Sequence, residues 1–282
     1  MRHAEPDVEA LQTALEEAVR TWADRLRKAL LAQLPEDDAL ELLHRFGDRF
    51  SSAYQEEADA ARASHDIRRL AKICDGESEL EMALAKSQSP HPERLRFTTF
   101  KPDEPIQLYV ALPMLENMGF KVISERVYPM TLPASQVWIQ DFELAAATGE
   151  TLDAAAVEDR IKECFAVVLA GEADNDGFNG FVVSAGLDWR QAAVLRAFCK
   201  YILQTGIRYS QAYMQEVLGR YPGYSRALVE KFASLFDVDC DASTRGQRRA
   251  AAEEELLRDL DQGRRELQVP RRTPRCRRRR SA

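Results

Sequence analysis

ELEMALAKSQSPHPERLRFTTF (Glu79–Phe100) carries the pattern that decides the fold. In ELEMALA, Leu80, Met82 and Leu84 alternate with Glu79, Glu81 and Ala83, the rhythm of a half-buried strand. SQSPHPE is a turn-rich connector. RLRFTTF alternates again, with Leu95 and Phe97 on one side and Arg94 and Arg96 on the other. Two alternating runs joined in this way predict a hairpin.

Working outward toward the C-terminus, KPDEP ends the second strand. A short helix is predicted over Leu108–Met118, stopped by Gly119, with Pro113 in its first turn. FKVISERVY (Phe120–Tyr128) and SQVWIQDFEL (Ser135–Leu144) read as strands, separated by a loop holding Pro129 and Pro133. A helix follows from Thr151 or Asp153, burying Val157, Ile161, Cys164, Phe165 and Val168. Strand, strand, helix, strand, strand, helix implies an α+β fold, an antiparallel sheet of the ACT-like or ferredoxin-like kind with helices on one face.

On the N-terminal side, residues 6–33 form one apolar stripe through Val8, Leu11, Leu15, Ala18, Trp22, Leu26 and Ala29, ended by Pro35. A second helix places Leu40, Leu43 and Phe46 on one face, with His44 on its surface. A third is expected from Ser64, as N-cap, to Cys74. Beyond the sheet, DNDGFNG (Asp174–Gly180) reads as a turn; it lacks the spacing and closing Glu of a calcium loop. Asp188 and Gln191 make a capping box, Gly206 a helix stop and Ser210 the next cap. Val194, Leu195, Phe198, Tyr201 and Ile202 are the expected inner face of the first of three helices. Tyr213, Val217 and Leu218 are that of the second, which stops at Tyr221-Pro222-Gly223. Leu228, Val229, Phe232, Leu235 and Phe236 line the third. Arg190, Arg196, Lys200 and Arg208 read as its solvated side, and Arg190, Lys200 and Arg208 as a docking surface between domains. The resulting division is an N-terminal helical segment (1–63), the α+β domain (64–173), a helical bundle (174–240), a helical linker (241–262) and an Arg-rich, disordered tail (263–282).

The chain's chemistry is sparse. There is no GxGxxG, GxxxxGK[ST], HExxH, CxxC or GxSxG, and the four His stand at positions 3, 44, 65 and 91. No catalytic, cofactor-binding or metal-binding residue is assigned. The five Cys are dispersed, as expected of free thiols in a reducing compartment. Net charge is −7, yet residues 264–282 hold nine Arg and one Glu, leaving −15 on the remainder. So acidic a body is not a nucleic-acid surface. No apolar run approaches the ~18 residues of a membrane span, and MRHAEPDVEA has no signal-peptide core. A cytoplasmic location is expected.

LPMLENMGFKVISERVYPM (Leu112–Met130), DGFNGFVVSAGLDWRQAAVLRAFCKYILQTGIRYSQAYMQEVL (Asp176–Leu218) and ALVEKFASLFD (Ala227–Asp237) resemble the large bacterial NAD-specific glutamate dehydrogenases. TWADRLRKALL and HRFGDRFSSAYQEE are similar to the same family, so the resemblance covers roughly residues 7–262. It implies very long homo-oligomeric subunits that oxidise L-glutamate with NAD and respond to amino-acid effectors. It also implies that this chain is the last ACT-like domain and the helical motifs, without the catalytic domain. The expectation is therefore a regulatory or assembly fragment, inactive alone, with no cofactor of its own although NAD serves the full-length family. The alternative is a stand-alone amino-acid-sensing or oligomerisation module. The resemblance fades after Gln262, where a change of reading frame is expected to produce the Arg-rich tail.

Overall fold

The computed structural model describes residues 21–133, 135–206, 208–236 and 241–268. They fall into two compact units. One comprises Phe120–Lys162 with the chain up to Glu116; the other comprises Glu163 onward with Asn117–Gly119.

The first unit opens with α1 (Trp22–Leu31), whose N-terminus is closed by a capping box between Thr21 and Asp24. It buries Leu26 and Leu30, while the Trp22 indole donates to the Ala58 carbonyl at 2.9 Å. The part of the predicted stripe before Thr21 lies outside the described residues. Helices α2 (Glu36–Phe46), α3 (Ser52–Glu57) and α4 (Ala60–Cys74) follow. His44 is exposed on α2, as expected. The helix expected to start at Ser64 starts at Ala60 instead, capped by Asp59, which accepts from the Arg62 N–H at 2.7 Å. Ser64 is interior to it and bonds back to the Ala61 carbonyl at 2.7 Å. A serine that satisfies itself within a helix mimics a cap in sequence. Trp22, Phe50 and Tyr54 pack as an aromatic group, with ring centroids 5.4 and 4.7 Å apart for Trp22–Phe50 and Phe50–Tyr54.

The sheet comprises β1 (Glu81–Lys86), β2 (Arg94–Pro102), β3 (Phe120–Thr131) and β4 (Gln136–Ala146), ordered β1-β2-β4-β3 and antiparallel throughout. Helix α5 (Leu108–Asn117) joins β2 to β3, and α6 (Ala154–Leu169) follows β4. The fold is thus α+β in the predicted element order, and Val157, Ile161, Cys164, Phe165 and Val168 of α6 are all buried. Two prolines correct the local reading. Pro129 lies inside β3 rather than in a loop; β3 is an edge strand, where a missing N–H leaves no ladder bond unmade. Pro113 lies inside α5 rather than in its first turn. It and Tyr109, whose carbonyl would have received its N–H, are both exposed, so water can satisfy the freed oxygen.

The two sheet faces differ sharply. Leu84, Leu95, Phe97, Phe142 and Leu144 line one face and are buried. On the same face Gln140 holds the approach to α5, accepting from Ile106 N–H at 2.6 Å and donating to its carbonyl at 2.9 Å. The opposite face is apolar at one end, where Phe100, Tyr128, Met130, Val137 and Ile139 join Ile67, Leu70 and Ile73 of α4 in one core. Its other end is polar: Arg94, Arg96 and Thr98 of β2 lie beside Asp141 and Glu143 of β4. A bulge between Val122 and Ser124 makes this arrangement possible. Before it, Phe120 and Val122 pair with Ala146 and Leu144; after it, Ser124 and Arg126 pair with Glu143 and Asp141. One extra residue therefore turns Ser124, Arg126 and Tyr128 to the polar-ended face.

In the second unit a 3-10 turn (Gly177–Gly180) leads into α7 (Phe181–Ser184), α8 (Trp189–Gln204), α9 (Gln211–Arg220), α10 (Pro222–Phe236) and α11 (Ala242–Gln268). The capping box of Asp188 and Gln191, the Ser210 cap and the positive φ of Gly206 are all present. The inner face of α8 is rotated from the one expected, which shares Leu195 with it while Val194 and Phe198 are half-buried. Ala192, Leu195 and Cys199 are buried, Leu195 and Cys199 in a core with Phe178, Phe181, Leu187 and Val229, whereas Tyr201 is 68% exposed. Tyr213, Leu235 and Phe236 are exposed as well. Helices α8 and α10 carry apolar residues around more than one stripe, and periodicity cannot choose between stripes. Pro222 opens α10 at its first position, where proline fits, rather than merely stopping α9. Helix α11 continues past Gln262 to Gln268, so the tail's irregular composition does not end the helix at residue 263; residues 269–282 lie outside the described residues.

Gly119 adopts φ +91°, a conformation open to glycine. Gly119→Ala is expected to cost about 1–2 kcal/mol, read as a lower midpoint in chemical denaturation with an unchanged slope.

Candidate ligand-binding site

The polar end of the sheet forms one wall of a cavity of about 450 Å³ in the first unit. β2 contributes Arg94 and Arg96, β3 contributes Ser124, Arg126 and Tyr128, and β4 contributes Asp141 and Glu143. Arg62 of α4, Glu56 and Glu57 of α3, and the Ser87–Pro90 connector complete the lining.

A buried ion network forms the floor. Arg62 bonds Asp66 through Nε at 3.2 Å and Asp141 through Nη2 at 2.5 Å. The Tyr54 hydroxyl donates to Asp66 at 2.6 Å, and Thr98 donates to Asp141 at 2.6 Å. Burial disfavours the Arg62 charge, but Asp141 and Asp66 outweigh it and raise the guanidinium pKa. Burial raises the Asp66 pKa against the opposing pull of Arg62 and Tyr54. At the rim, Glu143 pairs with Arg94 at 3.2 Å and accepts from Ser87 at 3.2 Å. Burial would raise its pKa, yet these bonds from Arg94 and Ser87 hold it below the usual carboxylate range. Arg126 pairs with Glu57.

Arg96 is different. It makes no hydrogen bond or ion pair with any described residue, and its Nε is buried without a partner. Burial, and then the neighbouring Arg62 charge, lower its pKa. The Tyr128 hydroxyl is also buried without a hydrogen bond of ordinary geometry, although Arg126 is near enough to act on it electrostatically.

The residues proposed from sequence as a docking surface lie in the second unit. Arg190 donates to Glu163 at 3.1 Å and stacks on Trp189, and Lys200 bonds Asp174 at 2.7 Å. They stand about 15 Å apart along α8, and exposed Arg208 lies beyond the helix end. Arg196, read as solvated, is instead 5% exposed. It bonds Asp176 through Nε at 2.9 Å and Nη2 at 3.0 Å, Asn179 at 2.8 Å and the Asp174 carbonyl at 3.2 Å. DNDGFNG is therefore a turn clamped by an arginine. Sequence reading missed Arg62, Arg96, Ser124, Tyr128 and Asp141 as site residues. The available signal was Asp141, a charge inside the apolar run VWIQDFEL.

Among the described residues, no group of three or more His, Cys, Asp or Glu could hold a metal ion, and no helix is long and apolar enough to cross a membrane.

Three family models match. "Glutamate dehydrogenase, helical motif 2" covers residues 29–73, "Glutamate dehydrogenase, ACT3 domain" covers 79–157, and "Glutamate dehydrogenase, helical motif 3" covers 173–238. The NAD-specific glutamate dehydrogenase of Halomonas elongata is 34% identical over 233 residues, 83% of this chain and 14% of the relative. That of Mycobacterium tuberculosis is 32% identical over 259 residues, covering 89% and 16%, and that of Pseudomonas aeruginosa is 27% identical over 231 residues, covering 82% and 14%. The chain thus spans 14–16% of the length of these curated relatives. A dinucleotide site of the usual kind needs a parallel strand, a Gly-rich turn and a helix N-terminus. The four described strands are all antiparallel, so the described residues do not fit NAD.

Proposed function

The chain belongs to the NAD-specific glutamate dehydrogenase family, and from that premise we propose that it is a non-catalytic regulatory and assembly portion of such an enzyme. The full-length reaction would convert L-glutamate, NAD and water to 2-oxoglutarate, ammonia and NADH. The observation that carries this reading is the identity of the matched segments: an ACT3 domain between two helical motifs, within 14–16% of the relatives' length. Its partners in this reading are a catalytic domain, further copies of the same subunit and a small-molecule effector, with an amino acid as the expected effector class, in the cytoplasm. Arg190, Lys200 and Arg208 remain the proposed docking residues, with Arg190 and Lys200 able to exchange their present carboxylate partners for those of a neighbour.

The test is direct. The purified 282-residue chain, given L-glutamate and NAD, is expected to produce no NADH above a protein-free blank. Glutamate-dependent turnover that survives repurification would overturn the non-catalytic reading. A second reading, a self-sufficient sensing or oligomerisation module, is favoured by the solvent-accessible cavity of the first unit, which is built wholly from this chain.

A further inference from the structure

We infer that the cavity on the polar end of the sheet is a binding site for a small organic carboxylate, with Arg96 as its principal contact and Tyr128 as a second donor. The inference deepens the regulatory reading and rests on it for biological meaning.

Arg96 is half-buried, its Nε is closed off from solvent without a hydrogen-bond partner, and folded proteins pair or hydrate such groups. Every acidic group directly inside this part of the sheet is already engaged. Asp141 receives Arg62 and Thr98, and Glu143 receives Arg94 and Ser87. The cross-strand neighbours of Arg96 are Ala85 and Glu143, and Glu143 bonds Arg94 and Ser87 rather than Arg96. Arg96 therefore lines a cavity of about 450 Å³ with no hydrogen bond to a described residue, although the charges of Asp141 and Asp66 act on it. Tyr128 supplies an independent sign: it is 5% exposed and lines the same cavity, and its hydroxyl, approached only by Arg126, has its own proton left to donate.

The charge of the lining selects among anions. Arg62, Arg94, Arg96 and Arg126 face Glu56, Glu57, Asp141 and Glu143, a balanced set. A carboxylate brings one negative charge and a planar pair of oxygens that a guanidinium can grip with two bonds. A phosphate dianion would bring a second charge against Glu56 and Glu57 at the rim. Ser87, Ser89 and Ser124 offer hydroxyls to the rest of the ligand. The cavity volume is within the range of small-molecule sites.

The experiment uses the intact 282-residue chain and thermal unfolding at matched ionic strength. The probes are propionate, L-alanine, succinate and inorganic phosphate. At roughly ten times its dissociation constant, a bound carboxylate is expected to raise the melting temperature by about 3 °C. Arg96→Gln should remove that shift while leaving the unliganded protein about as stable, because the half-buried Arg96 makes no ion pair and sits beside the like charge of Arg62. Should Arg96→Gln not fold, Arg96→Lys decides: it keeps the charge, loses the fork, and is expected to weaken binding about tenfold. Tyr128→Phe should weaken binding with little change in the unliganded midpoint. The assignment is overturned if no carboxylate shifts the wild type, if phosphate alone does, or if the shift persists unchanged in Arg96→Gln or Arg96→Lys. None of these outcomes bears on the turnover assay, so failure of the site and failure of the regulatory reading are distinguishable.

Discussion

Replacing Arg62 by methionine will destabilise the sheet unit by about 3–5 kcal/mol, because Asp66 and Asp141 will be left buried with no countercharge. In a unit of this size that corresponds to a fall in melting temperature of roughly 10 °C or more. The deficit should depend on pH in a definite direction. Burial already raises the Asp66 pKa above that of the unfolded chain, and without Arg62 the pull that opposes it is gone. The folded variant then binds protons more tightly than the unfolded one, so its stability falls as pH rises through the carboxylate range. The loss will be largest at neutral pH and smallest below about pH 4. Adding Asp66→Asn and Asp141→Asn to Arg62→Met should recover most of it, since the cost lies in the orphaned charges rather than in the loss of the pair. A deficit independent of pH, or no recovery in the triple variant, would sink this account of the network.

Arg196→Met is the counterpart in the second unit, again with an expected cost of about 3–5 kcal/mol. A single guanidinium satisfies Asp176, Asn179 and the Asp174 carbonyl and lies over the Phe178 ring. Its loss releases the turn that delivers Phe178 and Phe181 to the core of this unit. Hydrogen exchange should quicken first at residues 174–185 and then along α8, while β2 and β4 keep their protection. Arg196→Lys is not expected to rescue it, because one ammonium cannot reproduce the fork across Asp176 and Asn179. Asp176 also accepts from Gln211 at 3.2 Å, so loosening of α9 is expected as a secondary effect. Equal protection in the variant and the wild type would refute the clamp.

These two arginines also mark where sequence reading stops. Arg196 stands in a helix whose start was legible from the Asp188–Gln191 capping box, whereas Arg62 lies in the first turn of α4, ahead of the Ser64 start expected for it. Neither the burial of Arg62 nor that of Arg196 was legible, since each depends on partners brought in by the fold. Arg62 and Asp141 are separated by 79 positions in the chain. Arg196 was assigned to a solvated face because charge on a helix usually means solvent, and only the docking of the Asp174–Gly180 turn reverses that.

The sequence by itself determined the succession of strands and of the longer helices, the Asp188 and Ser210 caps, the Gly119 and Gly206 stops, the family, and the Arg94/Arg96 side of β2. Those are properties of local period, backbone preference and segment identity, and they survive without knowledge of neighbours. The tertiary structure alone decided which apolar stripe of α8 is inside, and that Pro129 could sit in a strand because that strand is an edge. It alone decided the site as well. The alternation that begins at Phe120 would have kept Ser124, Arg126 and Tyr128 off the polar-ended face; the bulge after Val122 reverses the strand's facing and brings them to Arg96. A strand's two faces differ by one residue of register, and where that residue is inserted depends on the pairing with β4, which no local pattern records.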